Sequence, residues 1–340
     1  MTPATLRRIL IPVGFAIVAI LPSFYDFALQ GLAGRAVAAA LLALSLVLLT
    51  GMVGQVSFCQ YSFAALGAFT VGSLVVGHGV NFWFAALLGT AFAGVGGVLV
   101  GIPALRLRGL LLAVLTVAVA LFFDVFLLAP GTWDGFSGGT LAWPLVPFPS
   151  IFGHLMDNYT FYLFSLAVFA IAALLVWNLR NGKTGRVLRA VRDSEVASST
   201  LGLNVAGWKL AAFGVSAALA GLAGALQAVA TGSVAGGSQS AYSFQYSVAL
   251  VATITVFGAS SIFSATAAGF FIVFAPQLLD MIPGLSHNWW PLILGAILIV
   301  QLVTSPDGVV VKTQRDIAHL MHRLAQRRRP AVAAAHSEAA

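Results

Sequence analysis

Charge is what this sequence most lacks. Only 8% of its 340 residues are Asp, Glu, Lys or Arg, while 60% are hydrophobic. A soluble domain carries about 25% charge, so this chain has no polar shell to fold around a core, and its solvent is mostly lipid. Cysteine is almost missing as well. Cys59 stands alone, which excludes an intrachain disulfide and any multi-cysteine metal site. There is no Gly-x-x-x-x-Gly-Lys-Ser/Thr phosphate loop, no Gly-x-Ser-x-Gly elbow and no pair of catalytic carboxylates. His78, His154 and His287 are scattered over helix ends and outer loops, which argues against a metal. No chemistry and no cofactor of the chain's own is expected, and its length leaves no room for a large soluble domain beside the apolar segments.

What the chain has instead is apolar runs. At roughly 20 residues per crossing, they predict an all-α, polytopic membrane bundle of about ten helices, at 9–29, 33–50, 56–77, 82–104, 109–130, 159–178, 210–232, 244–260, 262–282 and 288–305. Residues 1–310 form the transmembrane domain in this reading, and 311–340 a basic tail. Arg7 and Arg8 before an apolar stretch resemble a signal peptide, but Pro12, Pro22 and the want of a small-residue cleavage site favour a retained helix.

The few charges define an orientation. With the N-terminus inside, the inner segments hold Arg7 and Arg8; Arg106 and Arg108; six from Arg180 to Lys209; and six from Lys312 to Arg329. Of the 17 basic residues only Arg35 falls outside, so positive-inside bias predicts an N-in, C-in arrangement. Asp134, Asp157, Trp133, Trp143, Trp289 and Trp290 fall on the outer side. The net charge of +7 is thereby a topological signal, and no aromatic-interleaved basic face is left to bind nucleic acid. Ile317, Leu320, Met321 and Leu324 beside Arg323 and Arg327 read as a short amphipathic helix on anionic lipid, with disorder beyond Arg329.

Two connections exceed a turn. The outer one, 131–158, is dense in Gly and Pro and reads as a structured, non-helical loop. The inner one, 179–208, reads as a helix over Gly185–Ala197, with Val187, Leu188, Val191 and Val196 on one side and Arg186, Arg189, Arg192, Asp193 and Glu195 on the other. Gly202 and Asn204 then break the chain. A reversal needs far fewer residues, so this segment meets either a cytoplasmic partner or the membrane surface; the break, which a surface-lying helix has no use for, favours the partner.

Within the spans, Asp124 is a costly carboxylate that either faces the pore, links helices or snorkels to the outer interface. Gln55, Ser57, Gln60 and Ser62, beside Gly51 and Gly54, are either an unwound segment on a translocation path or a polar turn bonded to neighbouring helices. Gly97-x-x-x-Gly101, Ala217-x-x-x-Gly221 and Ala220-x-x-x-Gly224 are spaced for close helix packing. Gln227, Thr231, Ser233, Ser238 and Ser240 can hydrogen-bond a polar substrate or serve only as turns.

Three blocks carry a family likeness. Thr50-Gly-Met-Val-Gly-Gln-Val-Ser57 with Ala65-Leu-Gly-Ala68, Pro103-Ala-Leu-Arg-Leu-Arg-Gly-Leu-Leu-Leu-Ala113, and Gly185 through Asn204 followed by Lys209-Leu-Ala-Ala-Phe213 resemble the high-affinity branched-chain amino acid ABC importer permeases of the LivM type. The resemblance implies a coupling segment that docks on a cytoplasmic ATPase, falling here on Arg189, Arg192, Glu195, Ala197 and Gly202. Val196 replaces the first alanine of the general importer motif, and the outer loop's Gly138-Gly139 is displaced from the family's pattern. It implies further a second, LivH-like permease subunit, two ABC ATPases that bind ATP and magnesium in place of this chain, an extracytoplasmic substrate-binding protein, and a bacterial cytoplasmic membrane. A permease for urea or short-chain amides shares the inner-loop pattern; an ion-coupled secondary transporter would need functional carboxylates such as Asp124, and a passive channel would not need the inner loop.

Overall fold

A computed structural model describes residues 27–107, 109–129, 132, 133, 136, 138, 143–151, 154–236, 240–282, 289–305, 308–310, 312 and 313. The expected span at 9–29, save its last residues, and the tail from 314 lie outside the described residues, as do Asp134 and most of the glycine-rich centre of the outer loop.

Eleven helices are described. They are α1 (Phe27–Leu48), α2 (Gln60–Val71), α3 (Phe82–Ala104), α4 (Leu110–Phe122), α5 (Asn158–Asn181), α6 (Lys183–Asp193), α7 (Glu195–Thr200), α8 (Val205–Thr231), α9 (Phe244–Phe257), α10 (Ile262–Asp280) and α11 (Trp290–Thr304). Wider π-helical turns extend α1 over Leu49–Val53, α2 over Gly72–Gly77 and α4 over Phe123–Leu127. Seven stretches are long and apolar enough to cross a membrane, beginning at Leu29, Gln60, Phe82, Leu110, Asn158, Val205 and Ile262; α9 and α11 are apolar but shorter. The chain is a polytopic helical bundle.

Two boundaries differ from the sequence reading. The reversal expected near residues 30–32 is absent, and α1 passes straight through Gly31 and Gly34. The Ala- and Leu-rich run beyond carries no proline, and a break at that depth would strand backbone hydrogen-bonding groups. The inner helix read over Gly185–Ala197 is two helices. Ser194 leaves the helical region at φ −157°, and its hydroxyl accepts from Ala197 N at 3.2 Å as the N-cap of α7, the role serine fills best. Val196, placed by periodicity on the apolar face, is therefore 68% exposed.

The core is built around α1 and α8. The small-residue face of α8 lets backbones approach: Gly224 lies against the Ala64 carbonyl, Gly67 against the Gly221 carbonyl, and Gly97 against the Ala217 methyl, with no room for a Cβ at any of the three. The spacings read as packing motifs are packing motifs here. By contrast, Leu87 and Leu99 of α3 and Leu110 and Leu111 of α4 face outwards, 61–80% exposed, as a lipid-facing surface allows.

The helix ends gather into two groups. One end of the bundle collects Gly51, Arg180, Arg192, Ser260 and the contact of Gly308 with Gly258. The other holds a two-residue ribbon, β1 (Trp143–Pro144) paired antiparallel with β4 (Ser233–Val234) in the register Trp143↔Val234. The Trp143 ring covers Gly72 and Gly77, where a Cβ would come within 2.7 and 2.9 Å of it, and its Nε1 donates to Phe136 O at 2.8 Å. β2 (Ser150–Ile151) and β3 (His154–Leu155) form a second small hairpin before α5. Arg35, the one lysine or arginine at this end among the described residues, donates from Nε to Ala230 O at 3.4 Å, near the carbonyl end of α8, where positive charge is favoured.

Candidate functional site

The basic end carries the long inner loop. Its first half, α6, buries Gly185, Leu188 and Val191 and turns Arg186, Arg189 and Arg192 to the other side. Two of the arginines nevertheless bend back. Arg192 Nη1 donates to Gly51 O at 2.7 Å, and Arg189 donates from Nε to Gly185 O at 3.1 Å and from Nη2 to Arg180 O at 3.3 Å. Arg180 itself donates to Ser260 O in the turn between α9 and α10. α6 is thereby fastened to the end of α1 and, through Arg180, to the α9–α10 turn.

The second half, α7, is held differently. Glu195 opens it, and Glu195 Oε1 lies 2.5 Å from Lys209 Nζ in the second turn of α8. Lys209 is 3% exposed, a buried cation that a carboxylate partner stabilises. Ala197 is exposed, and Leu201 just beyond α7 is 79% exposed. Gly202 follows at φ +77° with nothing within 4 Å of where a Cβ would sit, and Asn204 caps α8 by accepting from Gly207 N at 2.9 Å. The expected coupling residues thus divide: Arg189, Arg192 and Glu195 turn toward the bundle, whereas Ala197 and Gly202 stay on the open side with Val196 and Leu201. In the sequence Lys209 counts among the inner cations and opens the Lys209-Leu-Ala-Ala-Phe213 block, with no partner indicated. A single charge inside an otherwise apolar helix is the signal that marks it.

Residues 54–59 are unwound, as one reading of the sequence held, and also bonded to their neighbours, as the other did. Gly54 turns the chain at φ +75°. Ser57 is buried with its Oγ 3.2 Å from Cys59 Sγ, and Phe58 N donates to Thr116 Oγ1 at 3.2 Å. Gln60 is the centre of a buried network: its Nε2 donates to Ser216 Oγ at 3.1 Å, its Oε1 accepts from Ser45 Oγ at 3.1 Å, and Ser216 Oγ donates to Ser45 O at 2.7 Å. One side chain thus joins α1, α2 and α8. Gln55 is different, because its buried Oε1 has no hydrogen-bond partner among the described residues. Ser45, Thr116 and Ser216 were missed, since isolated hydroxyls in apolar runs have no periodic signature.

At the other end, Asp124 links helices. Its Oδ2 accepts from Phe244 N at 3.3 Å, so it serves the exposed amide end of α9 from a different helix. An open cavity of about 290 Å³ is lined by Thr70, Ser73, Leu74, Leu88, Phe92 and Phe136.

Comparison with known proteins agrees with this architecture. The family of branched-chain amino acid transport system permease components matches residues 28–302. The high-affinity branched-chain amino acid transport system permease proteins LivM of Salmonella typhimurium and Escherichia coli are each 27% identical to it over 301 residues, covering 82% of this chain and 68% of theirs. No solved structure matches the chain.

Proposed function

The chain belongs to the family of branched-chain amino acid transport system permease components, and from that premise we propose that it is one permease subunit of an ATP-driven importer for leucine, isoleucine or valine. It sits in a bacterial cytoplasmic membrane with both termini inside, the apolar run at 9–29 completing ten crossings with α1–α5 and α8–α11. The basic end is cytoplasmic, in line with the positive-inside bias. An external binding protein delivers substrate to the opposite end, a second LivH-like permease completes the path, and two ABC ATPases bind ATP and magnesium and meet the 179–208 loop. Asp124 holds helices together in this scheme, and Gln55, whose buried Oε1 has no partner among the described residues, is the residue of the 55–60 segment best suited to meet a passing ammonium group. The cavity beside Phe92 and Phe136 has an apolar lining suited to an aliphatic side chain.

The observation that carries the proposal is the exposure of Val196 on the short helix α7 and of Leu201 just beyond it, 68% and 79%, at the basic end. Large apolar side chains left exposed beside a basic, polar segment suit an interface. A helix seated on the ATPase converts its closure into rigid-body rocking of the bundle. The test is co-purification of the ATPases with, and leucine uptake by, the Val196→Asp/Leu201→Asp protein. Both are expected to be lost at a normal membrane level of the permease. Undiminished ATPase binding would remove α7 from the interface, and uptake of urea but not leucine by the unaltered complex would replace the substrate.

A further inference from the structure

Resting on the reading of α7 as the ATPase-facing element, we propose that Glu195 and Lys209 form a strut that carries the motion of α7 into α8, bypassing the Gly202 turn. The backbone joining the two helices holds only the far end of α7. Gly202 at φ +77° closes the turn there, with its N donating to Ser199 O at 3.0 Å and Leu203 N donating to Ser198 O at 3.1 Å. A push on the near end of α7 reaches α8 only if a second contact holds that end. The ion pair is that contact: it links the first residue of α7 to the second turn of α8 at 2.5 Å, and its lysine stem is immobilised by burial at 3% exposure.

The two halves of the loop are also fastened to different bodies. Arg192 ties α6 to Gly51 and Arg189 ties it to the Arg180 carbonyl of α5, whereas Glu195 ties α7 to α8. Between them stands Ser194 in extended conformation at φ −157°, ψ 110°, the joint at which the halves can turn against each other. Rotation there reaches the bundle through α8. α8 passes it on without loss, because Gly224 on Ala64, Gly67 on Gly221 and Gly97 on Ala217 leave no gap to absorb it. Lys209 is therefore a positioning residue, and Glu195 acts towards the membrane domain while Val196 and Ala197 face the ATPase.

The test uses the full complex in proteoliposomes, with Glu195→Gln, Lys209→Gln, the exchange Glu195→Lys/Lys209→Glu, and Lys209→Arg. The two neutral variants are expected to reach the membrane and retain the ATPases, to hydrolyse ATP in response to the binding protein, and to import leucine about tenfold more slowly. The exchange and Lys209→Arg, which keep an ion pair, are expected to restore import. Normal import by either neutral variant overturns the strut. So does loss of ATPase binding in Glu195→Gln, which would place Glu195 in the docking surface, or impaired import by Lys209→Arg. If the neutral variants fail to accumulate, Lys209→Arg and the exchange still decide. Failure of the unaltered chain to bind any ABC ATPase overturns the underlying reading as well, an outcome distinct from strut failure, in which the unaltered complex stays coupled.

Discussion

Arg192 and Gly51, 141 residues apart in the chain, are joined by a 2.7 Å hydrogen bond from the guanidinium Nη1 to the glycine carbonyl. The arginine stem fills the space beside Gly54, where a Cβ would come within 2.9 Å of Arg192 Cγ. Gly54 is also left-handed at φ +75°, so the turn is closed to other residues both by its backbone and by the side chain lying on it. The α6 helix thereby grips the point where α1 gives way to the unwound 54–59 segment.

Arg192→Ala is expected to free that turn, lowering stability in detergent by about 1 kcal/mol, the net worth of one hydrogen bond, and slowing import more than Arg186→Ala, whose side chain points away from the core. Arg192→Lys keeps the charge but not the planar fork and should fall between. Thermal unfolding alongside uptake checks both; equal effects of Arg192→Ala and Arg186→Ala would show that the grip on Gly51 is idle.

Asp124 separates two transport classes. As an acceptor for Phe244 N it should be replaced by asparagine with little loss of uptake, while Asp124→Ala costs about 1 kcal/mol of stability, as for a lost helix cap. A proton- or ion-coupled carrier that used this carboxylate would lose transport in Asp124→Asn. Uptake measured with and without an ionophore distinguishes the two.

Gly221 and Gly224 of α8 allow no side chain. Gly224→Val would drive a branched side chain into the Ala64 backbone, and overpacking of this kind typically costs about 1–3 kcal/mol or more. Gly295→Ala in α11 has nothing within 4 Å and should be silent. Size-exclusion profiles of fluorescent fusions in detergent are expected to show aggregation for the first and an unchanged peak for the second.

Cys59 is fully buried, so a membrane-permeant maleimide should label it only after denaturation. Cysteines placed at Arg186 and at Trp133 in a Cys59→Ala protein should react with an impermeant maleimide from opposite faces of sealed vesicles. Labelling of both from one face would overturn the proposed orientation.

Much of this was legible in the chain. Hydropathy alone located nine of the apolar helices that the structure describes, because a helix in lipid must satisfy its own backbone and is written as a contiguous run. Charge placement singled out the loop at 179–208, and glycine spacing singled out the faces of α8, both of them local patterns. What the sequence could not carry was direction. Periodicity placed Val196 with the buried face and Glu195 with the exposed one. The structure reverses them, because the Ser194 cap starts a new helix whose phase is independent of α6, and because Lys209 offers Glu195 a partner 14 residues away. Likewise the Gln60 network draws on Ser45 and Ser216, 15 and 156 residues distant, and Asp124 acquires its role from an amide 120 residues on. Membrane residence, the course of the apolar helices and the basic end are all written in the chain, since these depend on the free energy of each segment in lipid. Which polar groups are spent inside the bundle and which stay at its surface follows from the folded arrangement, because a buried charge or amide is stable only where folding brings its complement.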